Sequence, residues 1–329
     1  MKNKMAAIVL LLLAGGYIRL AAQADHRSQR SHTVTNPEVH DPVMAKEGNT
    51  FYLYHTGWNI SCLSSTDLEH WTFERPVFTA PPVWAIQSVP GYKGHTWAPD
   101  IVYHQGKYHI FYSCSSFGKN TSAIGHAERH TLNPADTLSP WHDTGVVVRS
   151  IEGKNNYNAI DPSVLIDKKG TPWMAFGSFW GGIQLIRLTE DLRAQDTTYP
   201  MQVIARRKEG QAIEAPFLFR HGKYYYLFVS YDYCCKGSKS TYKVAVGRSK
   251  KIEGPYVDRE GTDMAAGGGT VILSSDADFV ASGHCSAYTF DGQDYFLAHG
   301  YSRKENGASK LILRKMKWDR EGWPLVNKP

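Results

Sequence analysis

The chain has 329 residues, 42% of them hydrophobic, and a formal net charge of +6. Three of the excess cations, Lys2, Lys4 and Arg19, stand in the first 24 residues, so the rest carries +3 with its basic residues scattered, which excludes a nucleic acid as the main partner. Five cysteines at irregular spacing, with no Cys-x-x-Cys pair, exclude a disulfide framework and a zinc ribbon. Adjacent Cys234 and Cys235 are open to a bridge, with free thiols the expected state.

In chain order, Lys2 and Lys4 precede an apolar run from Ala6 to about Gly16, and Ala22-Gln23-Ala24 offers a small-x-small cleavage pattern. Residues 1–24 are therefore expected to be a signal peptide, sending the product to the periplasm or the exterior. The run is shorter than the roughly 20 residues that span a bilayer, and no later stretch is apolar enough to cross one. Residues 25–329 are expected to form a single domain.

Helical periodicity is almost absent from this domain, and one unit recurs five times: a small polar head, an apolar strand, a Gly turn and an aromatic-rich strand. The copies begin His40-Asp41-Pro42, Ala98-Pro99-Asp100, Asp161-Pro162-Ser163, Glu214-Ala215-Pro216 and Gly283-His284-Cys285. Their turn glycines are Gly48, Gly106, Gly170, Gly222 and Gly292. Later strands are visible at Ile60–Ser64, Ile183–Leu188 and Val244–Ser249, and closing strands around Trp71–Phe78 and Trp141–Arg149. About four strands per unit is the size of a propeller blade, so the expected fold is an all-β, five-bladed β-propeller. A two-sheet sandwich is the rival, but it does not require five similar units.

In a propeller the first strand of each blade lines the axis, so the heads converge. Here they bring Asp41, Asp161, Glu214 and His284 into one space. Three carboxylates at such positions repel one another unless they have a role or a cation to offset them. Glycoside hydrolysis needs one carboxylic acid to protonate the leaving oxygen and one carboxylate to activate water or attack carbon. Glu214, framed by Ile213, Ala215 and Phe217, suits the acid, and Asp41, beside His40, suits the ionised base. Asp100 reads as a structural hydrogen-bond partner, and Phe179-Trp180-Gly181-Gly182 as a turn that shapes a cleft.

His40-Asp41-Pro42, Trp97-Ala98-Pro99-Asp100, Ile160-Asp161-Pro162-Ser163 and Glu214-Ala215-Pro216, in this order, resemble the family-43 glycoside hydrolases, and within them the endo-acting arabinanases. The likeness runs from about Asn36 to Trp323. It implies an inverting single displacement on internal α-1,5-arabinofuranosyl bonds of arabinan, the pectin side chain. Asp41 would be the base, Glu214 the acid, and Asp161 the residue that orients the acid and raises its pKa. Base and acid would then stand roughly 6.5–9.5 Å apart. The resemblance further gives Trp97, Phe117, Asn158 and Ser178 substrate-facing roles, and places a calcium ion in the central cavity with His284 as its protein ligand. Inter-blade packing remains open for Trp97 and Phe117, and a core histidine bonded to backbone for His284. A monomer is expected. An exo-arabinofuranosidase or β-xylosidase of the same family, a retaining invertase-like enzyme, and a non-catalytic carbohydrate-binding propeller are the alternatives.

Overall fold

A computed structural model describes residues 33–208 and 211–326; the expected signal peptide lies outside these. Five antiparallel sheets succeed one another along the chain as the blades of a five-bladed β-propeller. Their innermost strands are Val43–Glu47, His95–His104, Ser163–Ile166, Ile213–His221 and Phe279–Phe290. The second strands are Thr50–His55, Lys107–Cys114, Pro172–Phe176, Tyr224–Tyr231 and Gln293–Ser302. Third strands follow at Ser61–Ser65, Ser122–Arg129, Ile183–Arg187, Lys243–Ser249 and Ser309–Lys315. In the first four blades Trp71–Phe73, His142–Ser150, Gln202–Ala205 and Thr270–Leu273 pair outside the third. Among the described residues, no helix is long and apolar enough to cross a membrane.

The core lies between blades, because successive side chains of a strand point to opposite faces of its sheet. Tyr52 and Tyr54 of the first blade pack with Ile110 and Tyr112 of the second, whereas Phe51 and Leu53 turn the other way, to Leu297 of the fifth. Phe111 meets Met174 and Phe176 across the next gap, Trp173 meets Leu227, and Phe228 meets Phe296. Each gap is thus filled by alternate residues of two second strands, which a sandwich of two sheets would not produce. Full burial of a Phe or Leu contributes about 1.5–3 kcal/mol, so the ring is held mainly by these layers.

The fifth blade takes its outer edge from the other end of the described chain. Val39 N–H donates to Ser309 O (3.2 Å), Leu311 N–H donates to Pro37 O (3.2 Å), and Glu38 bridges Lys310. The segment before the first head therefore closes the ring.

Candidate active site

The heads share one backbone conformation. Asp41 (φ 57°), Ala98 (41°), Asp161 (58°), Ala215 (53°) and His284 (47°) are all left-handed. A non-glycine residue there costs about 1–3 kcal/mol, and a proline after four of the five disfavours the right-handed alternative. In the second, fourth and fifth blades the strand register shifts at the head (Trp97/Asp100, Glu214/Phe217, Gly283/Ser286), a bulge that re-aims the adjoining side chains. This corrects the repeat register: the fourth head is Ala215, and Glu214 occupies the preceding position, equivalent to His40, Trp97, Ile160 and Gly283. Glu214 still joins the other acids in the wall of one cavity, its longer side chain extending from the offset position.

Each head is also fixed from the blade before it. Ala98 N–H donates to Thr56 Oγ1 (2.8 Å), Asp161 N–H to Ser113 Oγ (3.0 Å), His284 N–H to Ser230 Oγ (2.8 Å) and Asp41 N–H to His299 Nδ1 (3.1 Å). Ser113, Ser230 and His299 stand opposite Trp97, Glu214 and Gly283, and Thr56 bonds to His40 O in the same way. The equivalent residue of the third blade is Gly177, whose N–H donates to Ile160 O. It has no side chain to offer, and a Cβ there would lie 2.7 Å from Gly182 O. The Ala215 N–H turns instead to Asp161 Oδ2 (3.1 Å). A repeated structural bond is in this one blade made by a site carboxyl.

The three acids differ in surroundings. Burial alone would raise the Asp41 carboxyl, but His284 and His40 outweigh it and hold it well below the usual carboxylate range. His284 Nδ1 lies 3.0 Å and His40 Nδ1 2.8 Å from Asp41 Oδ1, and Thr56 Oγ1 donates to Oδ2. For Asp161, burial dominates, with Glu214 and Asp41 adding to it against His284, and the carboxyl is pushed up to about 8. Glu214 accepts from Ser178 Oγ (2.9 Å) and Tyr242 OH (2.7 Å). Burial works against charging the His284 ring, yet Asp41, Asp161 and Glu214 raise it to about 9, so it stands as a cation among the acids.

These groups line a cavity of about 940 Å³, and Trp97, Phe117, Asn158 and Ser178 line it too. Phe117 is 82% exposed, which removes packing between blades as its role. Trp97 is half-buried, its Nε1–H donating to His95 Nδ1 (3.0 Å). Asn158 Oδ1 is buried without a hydrogen-bond partner, an acceptor left over for a hydroxyl donor. Phe179 and Trp180, from the glycine-rich turn, complete that wall. Asp100 points elsewhere: its Oδ2 accepts from Val164 N–H of the next blade, the structural role read from sequence.

A family model described as glycosyl hydrolases family 43 matches residues 32–324. The chain belongs to this family of glycoside hydrolases. It is similar to an exo-1,5-α-L-arabinanase from a bovine ruminal metagenomic library, whose crystal structure superposes with a TM-score of 0.87 at 56% identity, over 89% of this chain and 98% of that one. An extracellular exo-α-(1→5)-L-arabinofuranosidase of Cellvibrio japonicus is 45% identical over 88% of this chain and 86% of its own length. An extracellular endo-α-(1→5)-L-arabinanase of Bacillus subtilis is 43% identical over 88% of each.

Several residues of this family-43 site escaped the reading of the sequence. Thr56, His299 and Tyr242 carry no local motif; alignment of the second strands, which sets Thr56 and His299 beside Ser113 and Ser230, is the signal that finds the first two. Cys234 and Cys235 form a disulfide in the cavity wall, against the expected thiols, whereas Cys62, Cys114 and Cys285 are free and buried. The left-handed turn at Cys235 (φ 65°) places neighbouring sulfurs on one side of the chain.

Proposed function

We propose that the enzyme hydrolyses α-1,5-linked L-arabinofuranosyl bonds of arabinan by a single displacement that inverts the anomeric carbon. The observation that carries this reading is the unequal setting of Asp41 and Glu214 in one cavity. Asp41 is held ionised by two histidines, while Glu214 is met by two hydroxyls able to donate or accept. Asp41 takes a proton from the attacking water, and Glu214 gives one to the departing sugar oxygen. Asp161, bonded to the amide next to Glu214, orients the acid and keeps a proton beside it. Trp97 and Phe117 offer ring faces to the sugars, and Asn158 Oδ1 accepts a sugar hydroxyl.

The names of the three relatives support arabinan as the substrate. They favour attack from a chain end over the internal cleavage that the resemblance implied, since the relatives of 56% and 45% identity bear exo names and that of 43% an endo name. The relatives named extracellular support export by residues 1–24. Action as a monomer stays part of the proposal.

A calcium ion stays part of the proposal. Its protein ligand would be His284 through Nε2, which would have to give up its proton to the ion while Nδ1–H stays engaged by Asp41, and water would fill the other positions. Of the described residues, no group of three close His, Cys, Asp or Glu ligands includes His284, so a cage of protein oxygens does not fit. When bound, the ion supplies positive charge among three carboxylates. Metal analysis of purified wild type beside His284→Ala tests this, and equal content in the two counts against it.

The reaction is tested on linear arabinan with product profiling and NMR of the fresh anomer. One short product from the first minutes, with inverted configuration, is expected. A ladder of lengths replaces exo by endo action, retained configuration removes the single displacement, and release from xylan but not arabinan removes the substrate.

A further inference from the structure

Tyr301 is buried, and its hydroxyl joins the disulfide to the base. The Cys235 N–H donates to Tyr301 OH (2.7 Å), the hydroxyl lies 2.9 Å from His40 Nε2, and His40 Nδ1 lies 2.8 Å from Asp41 Oδ1. The direction of each bond follows from the backbone amides, which can only donate. Asp41 N–H gives its hydrogen to His299 Nδ1, so the proton of neutral His299 is on Nε2, 3.3 Å from Tyr301 OH. The hydroxyl, accepting from Cys235 and His299, donates to His40 Nε2; His40 then donates from Nδ1 to the carboxylate. Stacking of the His40 and His299 rings (3.8 Å between centroids) fixes the plane of both. Cys235 Sγ itself lies 3.9 Å from His40 Nε2. Tyr301 and His299 come from the strand Gln293–Ser302, whereas the Cys235 amide comes from a turn outside the strands, which the disulfide ties.

We propose that the Cys234–Cys235 disulfide is a positioning element for the catalytic base: it holds the Cys235 amide on Tyr301, whose hydroxyl aims His40 and through it Asp41. The inference rests on the reading of Asp41 as base. With the bridge open, the Cys235 amide is free to leave Tyr301, the hydroxyl loses a fixed donor, and the carboxylate loses part of its aim at the attacking water. A loss of aim slows turnover more than it weakens binding.

Reduction is the direct test. A dithiol such as dithiothreitol gives two electrons and two protons, so that the Cys234–Cys235 S–S bond becomes two thiols and the reagent closes to its cyclic disulfide. Thiol titration in denaturant should rise from the three buried free cysteines to all five. On linear arabinan, kcat of the reduced enzyme is expected to fall on the order of tenfold with KM within about twofold, and to return on reoxidation. A Cys234→Ser/Cys235→Ser variant should show the same loss and be insensitive to dithiol. Tyr301→Phe should fall comparably, and adding it to the double serine variant should bring little further loss, because all three changes cut one path. Full reduction with unchanged kcat overturns the proposal, as does a change confined to KM, which would make the turn a wall for the sugar only. Losses that multiply in the triple variant also overturn it. Asp41→Asn separates the levels: if that variant keeps wild-type kcat, the base assignment itself fails, whatever the disulfide does.

Discussion

Asp41 and Glu214 are both carboxylates on the same axis, and what separates them is what donates to them. Asp41 receives hydrogen bonds from two histidines and Thr56, so its anion is the favoured form even at full burial. Among the described residues, the groups that donate to Glu214 are the Ser178 and Tyr242 hydroxyls, which adapt to either protonation state. The roles can therefore be told apart by leaving group. Glu214→Gln should lower kcat on arabinan by about 10²–10⁴ and recover much of it on an aryl arabino-oligosaccharide, whose phenolate departs without a proton. Asp41→Asn should lose a similar factor on both substrates, since water still has to be activated. Equal recovery in the two variants would mean that the assignments are reversed or shared. The carboxylate types were legible from sequence because three acids recur at strand heads. The one-residue offset of Glu214 was not, because Glu-Ala-Pro and Asp-Pro align equally well until the backbone shows that Ala215 carries the left-handed turn.

At the scale of strands, the repeat was legible because each blade must alternate its side chains between two neighbours, and the aromatic second strands record that alternation directly. What stayed hidden is the stitching between blades, where single side chains of unlike chemistry (a serine, a threonine, a histidine, and Asp161 in place of Gly177) do one job. Asp100 belongs to a second set of stitches: two residues past its head it accepts from Val164 N–H, as Ser163 Oγ accepts from Leu218 N–H (2.9 Å) at the matching place of the next blade. Burial pushes the Asp100 carboxyl up to about 7, partly opposed by the Val164 and Ile101 amides. The folded chain thus holds a proton there that the unfolded chain releases near pH 4, so this group's contribution to stability is full below that pH and is lost as pH rises to about 7. Asp100→Asn keeps an acceptor for Val164 and never ionises. The variant's melting temperature relative to wild type is therefore expected to climb between pH 4 and 7, by an amount reflecting a few kcal/mol at most. A difference that stays flat across the window would show that the proton is not there.

At the scale of the whole molecule, a ring of blades has no natural end, and the last gap must be closed by chain that is far away in sequence. The segment Pro37–Val39 does this, pairing with Ser309–Leu311 immediately before the chain enters Asp41. Closure and the candidate site are thus consecutive in sequence: the strand that completes the fifth blade leads Asp41, the proposed base, to the axis. Val39 is 3% exposed, in the layer with Met44, Leu53 and Leu297 that joins the first and fifth blades. An aspartate there would carry an unpaired charge into that layer, costing on the order of 3–5 kcal/mol, so Val39→Asp should melt roughly 10 °C lower than wild type. Glu38, one residue earlier on the same strand, has a side chain 72% exposed and pairs with Lys310 only at 3.5 Å. Its replacement by Ala should move the melting temperature by no more than a degree or two, as exposed ion pairs usually do. Differential scanning fluorimetry on the two variants separates the readings. Comparable small shifts would mean that the first and fifth blades hold together without this strand, and a large drop in Val39→Asp alone would mean that the buried edge is what shuts the ring.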